Sequence, residues 1–244
     1  MTDRFVLGVP LGRWQTNCFV VGDRAAGTAI VVDPGEGAEE AVPQLLSQAG
    51  VTCEAIALTH GHLDHVWGVP QLARELDVPV LLHPDDRWIW DDPAAAFGAP
   101  PELLQQQFGL TWDPPTDHLR DVADGDDVTL AGTTYRVHHN PGHTPGHVTY
   151  LGRSFGDVPV SFALGDADVA TDQVLFSGDL IFAGSVGRSD FPRGDGDRLL
   201  RSLVETVVPL GDDTLILSGH GPDTTVGRER ASNPFLHQAI ARHG

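Results

Sequence analysis

The sequence predicts an α+β fold in which β-sheets are covered by helices on their outer faces. Short β-rich segments dominate the middle of each half of the 244-residue chain, and helix-patterned segments follow them. This order fits covered sheets better than a doubly wound parallel sheet, in which strands and helices would alternate throughout. No fixed-period repeat or long linker interrupts it, so we expect a single domain over residues 1–244.

In the first half, Gly, Asp and Asn separate the β-rich runs. The predicted strands cover residues 5–9, 18–21, 28–32, 55–58 and 78–82, and the predicted helices cover residues 38–49 and 65–76. Residues 84–117 are instead rich in Pro, Asp, Trp and Gln. We interpret them as a surface excursion with a helix over residues 101–108.

In the second half, β patterns return after residue 118. The predicted strands cover residues 128–130, 135–138, 148–151, 161–164, 174–177 and 215–218, and the predicted helices cover residues 199–208 and 233–242. Apolar runs of this length, bounded by turn residues, are typical of strands buried in a sheet.

Composition excludes several classes of function. The formal net charge is −19, and all 15 basic residues are Arg, so the surface repels nucleic acid and anionic membranes. No run approaches the roughly 18 apolar residues of a membrane span, and the first residues lack the pattern of a signal peptide. Only two cysteines are present, Cys18 and Cys53, and we expect a reducing cytoplasm rather than a disulfide framework.

The densest group of chemically active residues is Thr59-His60-Gly61-His62-Leu63-Asp64-His65. It follows an apolar strand and precedes a predicted helix, which is a rigid support for a metal site. Imidazole and carboxylate are ligands that Zn(II), Fe(II) and Mn(II) accept. An isolated histidine is usually structural, but four such side chains within six residues indicate metal binding.

Three further candidate ligands follow later predicted strands, each next to a glycine: His143, Asp179 and His220. With the loop residues they make five histidines and two aspartates, more than the four ligands of a structural zinc. The set suffices for two adjacent ions with open positions. Such a pair activates water near neutral pH, which favours hydrolysis.

Four motifs in this order, Thr-His-x-His-x-Asp-His, Pro-Gly-His-Thr, Ser-Gly-Asp and Gly-His-Gly-Pro, resemble those of the metallo-β-lactamase superfamily. Within it, the chain is similar to the glyoxalase II-like hydrolases. The resemblance implies a four-layer αββα sandwich of two mixed sheets with metals at one edge. It further implies a first metal at His60, His62 and His143, a second at Asp64, His65 and His220, and a bridge at Asp179. The expected cofactors are two divalent ions, zinc first, with iron or manganese as alternatives.

The segment 182–191 looks like the substrate-side loop of short bacterial glyoxalase II proteins. Longer members carry a Lys where this chain has Arg188 and a Tyr where it has Asp190, and both bind glutathione. The resemblance therefore implies substrate binding by Arg188, while a structural ion pair with Asp190 or Asp195 is the alternative. The C-terminal helical domain that grips glutathione in longer members has no counterpart here, so another low-molecular-weight thiol is an open alternative.

The leading functional hypothesis is hydrolysis of a small-molecule thioester, an S-acyl or S-2-hydroxyacyl thiol, by a metal-bridging hydroxide that Asp64 orients. Three alternatives stay open. A persulfide dioxygenase would use one Fe(II) at His60, His143 and Asp179. A lactonase or other ester hydrolase would be distinguished by its substrates, and a metal-stabilised binding protein would show no turnover.

Overall fold

A computed structural model describes the backbone at residues 3–153, 155, 157–162 and 165–244, and the side chains of these except 157–162 and 165–170. The first sheet contains β1 (Arg4–Leu11), β2 (Thr16–Asp23), β3 (Thr28–Val32), β4 (Thr52–Ala57), β5 (Val80–Leu82), β6 (Leu119–Asp121), β10 (Asp157–Phe162) and β11 (Gly165–Ala170). The second contains β7 (Asp127–Leu130), β8 (Thr133–His139), β9 (Val148–Arg153), β12 (Gln173–Gly178), β13 (Leu215–Ser218) and β14 (Thr224–Thr225).

Both sheets are mixed. The spatial order is β11-β10-β1-β2-β3-β4-β5-β6 in the first and β14-β13-β12-β9-β8-β7 in the second. In the first sheet β3 to β6 run parallel, whereas β1, β2 and β3 are antiparallel. In the second sheet the pair β12–β13 is parallel and its other pairs are antiparallel.

The helices are α1 (Ala38–Ala49), α2 (Leu63–Val66), α3 (Val69–Leu76), α4 (Arg87–Asp91), α5 (Glu102–Phe108), α6 (Gly196–Thr206), α7 (Val226–Ser232) and α8 (Pro234–His243). Short 3₁₀ turns cover Pro84–Asp86 and Pro93–Phe97. Among the described residues, none of these helices has the length and apolar character needed to cross a bilayer.

Alternation along the strands creates the layers. In β2, Phe19 and Val21 face the core between the sheets, while Val20 faces the core beneath α1 and α3. The second sheet alternates likewise, so that Leu175 packs with α6 and α8 and Phe176 faces the first sheet. Helices thus cover the outer face of each sheet, and the predicted αββα sandwich of two mixed sheets is confirmed.

The predicted continuous helix over residues 65–76 is wrong. It is divided into α2 and α3, because the Gly68 amide leaves the helical pattern and donates to the Pro34 carbonyl at 3.0 Å. Pro70 cannot donate a helical hydrogen bond, so a new helix starts around it. The strands β6 and β14 and the helix α7 had no distinct sequence pattern. Of the predicted strand 161–164, residues 163 and 164 lie outside the described residues.

The loops that carry the candidate ligands meet at one edge of the sandwich. The Val148 amide at the start of β9 donates to the Thr59 carbonyl at 2.8 Å and thereby joins the two sheets at this edge. The Gly219 amide after β13 donates to the Gly178 carbonyl at the end of β12, at 2.9 Å. Strand ends from both sheets therefore support one site.

Candidate metal centre

Three imidazoles form the first ligand cluster. The Nε2 atom of His60 lies 3.1 Å from both His62 Nδ1 and His143 Nε2, and the latter two atoms are 2.8 Å apart. All three side chains are buried. The three nitrogens thus form a nearly equilateral triangle, although His143 is more than 80 residues from the other two in the sequence.

The protonation of two of these rings is set by hydrogen bonds on their far sides. His143 Nδ1 donates to the Arg188 carbonyl at 2.6 Å. Thr59 Oγ1 donates to Asp33 Oδ2 at 2.6 Å and so accepts from His60 Nδ1 at 3.0 Å. Both Nε2 atoms consequently carry lone pairs directed at the centre of the triangle.

The second cluster contains Asp64, His65 and His220. Asp64 Oδ2 lies 3.2 Å from His220 Nε2 and 3.5 Å from His65 Nε2. His65 Nδ1 donates to Asp33 Oδ2 at 3.0 Å, which turns its Nε2 towards the two carboxylates of the centre. The side chains of Asp64 and His220 are 22% and 28% exposed, so solvent reaches the centre from this side.

Asp179 lies between the two clusters. Its Oδ1 is 3.4 Å from His65 Nε2, and its Oδ2 is 3.5 Å from His143 Nε2 and 3.9 Å from His220 Nε2. The Asp179 amide donates to His147 Nε2 at 3.0 Å, which fixes the start of the segment that follows β12. One carboxylate therefore faces nitrogens of both clusters, with Oδ1 near His65 and Oδ2 near His143 and His220.

These residues fit divalent cations. His65 Nε2 and Asp179 Oδ1 are buried and have no hydrogen-bond partner, and buried polar atoms of this kind are costly without one. Burial, together with the neighbouring imidazoles, holds the pKa of His60 and of His62 well below its usual value, so both rings stay neutral. Converging neutral lone pairs repel one another unless a cation lies between them.

The second cluster attracts positive charge more strongly. Although burial opposes protonation, the carboxylates of Asp64, Asp179 and Asp33 raise the pKa of His65 to about 10. The same pairing holds the pKa of Asp64 below its usual value despite burial. The negative potential of these carboxylates favours a proton on the buried His65 ring. A bound cation would be stabilised by the same potential.

A glycine permits the close approach of the last ligand loop. A Cβ atom at Gly219 would lie 2.4 Å from Asp179 Oδ1 and 2.7 Å from His65 Cε1. The loop is held by Asn17, whose side chain donates to the Ser218 and Gly221 carbonyls, both at 2.9 Å. Thr16 Oγ1 donates to Asp64 Oδ2 at 3.2 Å. The start of β2 thus positions both His220 and Asp64.

A buried carboxylate that sequence analysis missed joins the two loops of the first cluster. Asp86 accepts hydrogen bonds from the Gly61 amide at 3.0 Å, and from Thr144 Oγ1 and the Gly146 amide at 2.7 Å each. Burial raises the pKa of Asp86, and these three donors oppose that shift. The residue comes from the 84–117 segment, where nothing in the local sequence marks one aspartate among several.

Arg188 lies beside this centre but is not a free cation. Its guanidinium makes two hydrogen bonds to Asp190, at 2.6 and 2.7 Å, and stacks 4.0 Å from the Phe191 ring centroid. The structure thus shows the ion pair with Asp190, and substrate binding by Arg188 stays a prediction. The Arg188 carbonyl, rather than its side chain, contacts the centre through His143.

A further cluster, His83, Asp85 and His139, does not resemble a metal site. The two imidazoles are stacked, with centroids 4.0 Å apart and planes 13° from parallel. Lone pairs lie in the ring planes, so those of stacked rings do not converge on one ion. His83 Nδ1 accepts from the Asp85 amide and His139 Nε2 donates to the Pro145 carbonyl, as expected for structural histidines.

Comparison with known proteins identifies the family. A model described as "Metallo-beta-lactamase superfamily" matches residues 11–155. The chain belongs to the metallo-beta-lactamase superfamily. It is 35% identical to the hydroxyacylglutathione hydrolase GloC of Haemophilus influenzae over 94% of this chain and 96% of that protein.

Two solved structures of metallo-beta-lactamase relatives agree in fold along almost the whole chain. The BLEG-1 B3 metallo-beta-lactamase is 34% identical, with a TM-score of 0.76 over 94% of this chain and 98% of that one. TTHA1623, solved in a di-iron-bound form, is also 34% identical, with a TM-score of 0.70 over 94% and 99%. Metallo-beta-lactamase superfamily proteins are metallohydrolases that bind divalent metals, and the clusters described above are the candidate site in this member.

Asp33 offers a test of how the ligands are held. We expect Asp33→Asn to weaken metal binding by about 10- to 100-fold, because the amide nitrogen cannot accept from His65 Nδ1. Asparagine tolerates the left-handed backbone at this position (φ 49°), so the backbone itself is not strained by the change. Competition with a chromophoric chelator measures the affinity, with Asp113→Asn, at an exposed carboxylate, as the control. Equal affinities in both variants would contradict this role.

Proposed function

We propose that the protein is a metal-dependent thioester hydrolase of the glyoxalase II type, which cleaves S-acyl or S-2-hydroxyacyl thiols. The observation that carries the proposal is the position of Asp179 between two three-residue clusters, one of which opens to solvent. A shared carboxylate between two ligand sets suits a pair of ions acting on one substrate. The similarity to a hydroxyacylglutathione hydrolase supports the thioester as substrate.

In this proposal, His60, His62 and His143 would hold one ion, Asp64, His65 and His220 the other, and Asp179 both. When bound, divalent ions lower the pKa of water and polarise a carbonyl oxygen. We place zinc first because the donors are mostly imidazole nitrogens. Iron is second, since a relative with 34% identity is known in a di-iron form.

Asp64 would act as the proton-holding group. Its Oδ2 accepts from Thr16 Oγ1 and faces His220, and both residues restrict the rotation of the carboxylate. A carboxylate held at the solvent side of the centre can orient an incoming water and accept its proton. The departing thiolate has a pKa of about 8.5, so it needs no proton donor to leave.

The same atoms allow one competing activity. His60 Nε2, His143 Nε2 and Asp179 Oδ2 all border the first cluster, with His143 at 3.1 Å from His60 and 3.5 Å from Asp179. Two histidines and a carboxylate around one open position suit a single non-haem iron. A mononuclear iron persulfide dioxygenase is therefore the second candidate function. A lactonase would be distinguished from the thioester hydrolase by the substrates that it cleaves.

Metal analysis combined with two assays tests the proposal. We expect protein purified from unsupplemented medium to contain two divalent ions per chain and to hydrolyse S-lactoylglutathione without oxygen uptake. Removal of metal by a chelator should abolish turnover, and zinc should restore it. One iron per chain with oxygen consumption on glutathione persulfide would instead establish the dioxygenase. Two bound metals without turnover on thioesters or lactones would contradict both enzymes.

We place this reaction in a reducing cytoplasm, where free thiols and their thioesters persist. Both cysteines, Cys18 and Cys53, are free in the structure.

A further inference from the structure

A turn beside the metal centre contains a residue in an unfavourable backbone conformation. The Gly194 amide donates to the Phe191 carbonyl at 2.8 Å, which closes the turn Phe191-Pro192-Arg193-Gly194. Arg193, the third residue, has φ of 65°. Glycine or asparagine is favoured at a turn position with positive φ, because a longer L side chain is strained there. An arginine at this position points to a role for its side chain.

The Arg193 guanidinium is held in place without being neutralised. It lies over Trp88, with Cζ 4.4 Å from the ring centroid. None of the carboxylates whose side chains the structure describes forms an ion pair with it, although acidic residues outnumber basic ones by 34 to 15. Stacking on an indole fixes the plane of a guanidinium while its N–H donors stay available. Arg188, in contrast, is already paired with Asp190.

The turn and the 84–117 segment form an apolar surface next to the first ligand cluster. The Phe191 ring lies 5.4 Å from the His62 ring and 5.8 Å from Phe97, centroid to centroid. Phe97 is 41% exposed, the largest exposure among the large hydrophobic residues described. Trp88 belongs to the same helix as Ile89, whose side chain packs against Gly61 between two ligands. Phe191 and Phe97 thus border the side of the centre at His62, and Arg193, two residues after Phe191, lies on Trp88 of α4.

We propose that Arg193 is the substrate's anion-binding residue, which takes a carboxylate of the thiol carrier while Phe97 and Phe191 pack against the carrier's apolar atoms. The inference rests on the proposed thioesterase and adds the substrate class: thioesters of a carboxylate-bearing thiol. A planar guanidinium with free donors matches a carboxylate in a bidentate manner. A local positive charge also offsets the repulsion between an anionic substrate and a protein of net charge −19.

Arg193→Gly tests this role directly, because glycine removes the guanidinium and also removes the backbone strain at this positive-φ position. We expect its melting temperature to equal or exceed that of the original protein. The KM for S-lactoylglutathione should rise about tenfold with kcat unchanged, whereas the KM for its diethyl ester, which lacks both carboxylates, should stay the same. Arg193→Lys, which keeps the charge, should recover part of the loss. Arg24→Gly is the matched control, since Arg24 also stacks on an aromatic ring, that of Phe5. Arg24 follows the last residue of β2, whereas the first residue of β2, Thr16, contacts the metal centre.

A binding measurement separates this inference from the proposed hydrolysis. S-methylglutathione cannot be hydrolysed, so its binding can be measured by calorimetric titration. We expect Arg193→Gly to weaken this binding about tenfold. The diethyl ester of S-methylglutathione should bind the original protein more weakly than S-methylglutathione itself. Weaker binding in the variant without any thioesterase activity would support Arg193 and overturn the proposed function. No binding of S-methylglutathione to the original protein, or equal changes for this ligand and for its diethyl ester, would overturn the role of Arg193.

Discussion

Replacement of Asp64 by asparagine is expected to lower thioester turnover by about 10²- to 10⁴-fold, the range typical of a lost general base. The amide can still accept from Thr16 Oγ1, so the side chain should keep its place. It cannot hold a proton from water, and it no longer balances the charge near His65 and His220. The measurement is steady-state turnover of S-lactoylglutathione on protein whose metal content is determined in parallel.

The first cluster serves as an internal reference in this experiment. His60, His62 and His143 do not contact Asp64 by hydrogen bonds, so the variant should retain at least one ion per chain. Asp121→Asn, at an exposed carboxylate paired with Arg87, is the control and should keep full turnover. If turnover by Asp64→Asn persists with both metals bound, the carboxylate does not orient or deprotonate water.

Replacement of Asp86 by alanine is expected to lower the free energy of unfolding by about 3 kcal/mol or more, since each buried donor left without a partner costs about 1–3 kcal/mol. The change orphans the Gly61 amide, Thr144 Oγ1 and the Gly146 amide together. Because these donors belong to the loops of His60, His62 and His143, metal affinity at the first cluster should fall as well. Urea unfolding of metal-free protein measures the first effect, and chelator competition measures the second.

The neighbouring aspartate provides a matched control for Asp86. Asp85 has a side chain that is 58% exposed, and Asp85→Ala should change the unfolding free energy by no more than about 0.5 kcal/mol. Similar unfolding midpoints for the two variants would show that the three hydrogen bonds of Asp86 contribute little to stability. A destabilised Asp86→Ala with unchanged metal affinity would separate stability from ligand positioning.

The fold was predictable where the hydrophobic pattern is local and unbroken. The predicted strand 28–32 coincides with β3, because it is a short apolar run between Gly27 and Asp33, and the predicted helix 38–49 coincides with α1, whose apolar residues follow a period of about 3.6. The prediction failed at residues 65–76, where the apolar pattern continues across a break. There the Gly68 amide is bonded to Pro34, a contact from a distant loop that local sequence does not contain.

For the candidate centre, the seven side chains proposed from motifs lie together at one edge of the sandwich. Their supports were less visible. One of them is Asp33, directly after β3, which accepts from Thr59 and His65. Asp86 and Arg193 had no local signal, because one is an ordinary aspartate in a polar segment and the other an ordinary arginine in a turn.

The amino-acid sequence by itself predicted sheets covered by helices and the set of candidate metal ligands, since hydrophobic patterns and short Gly-flanked motifs are local properties of the chain. Only the tertiary structure decided how those side chains are oriented and charged. The lone pairs of His60 and His143 are set by Thr59 and by the Arg188 carbonyl. The availability of Arg193 is set by its stacking on Trp88 and by the lack of an ion pair with any described carboxylate. Hydrogen bonds and electrostatic pairing depend on distances of a few ångströms between residues far apart in the chain, and these distances exist only once the sheets are packed together.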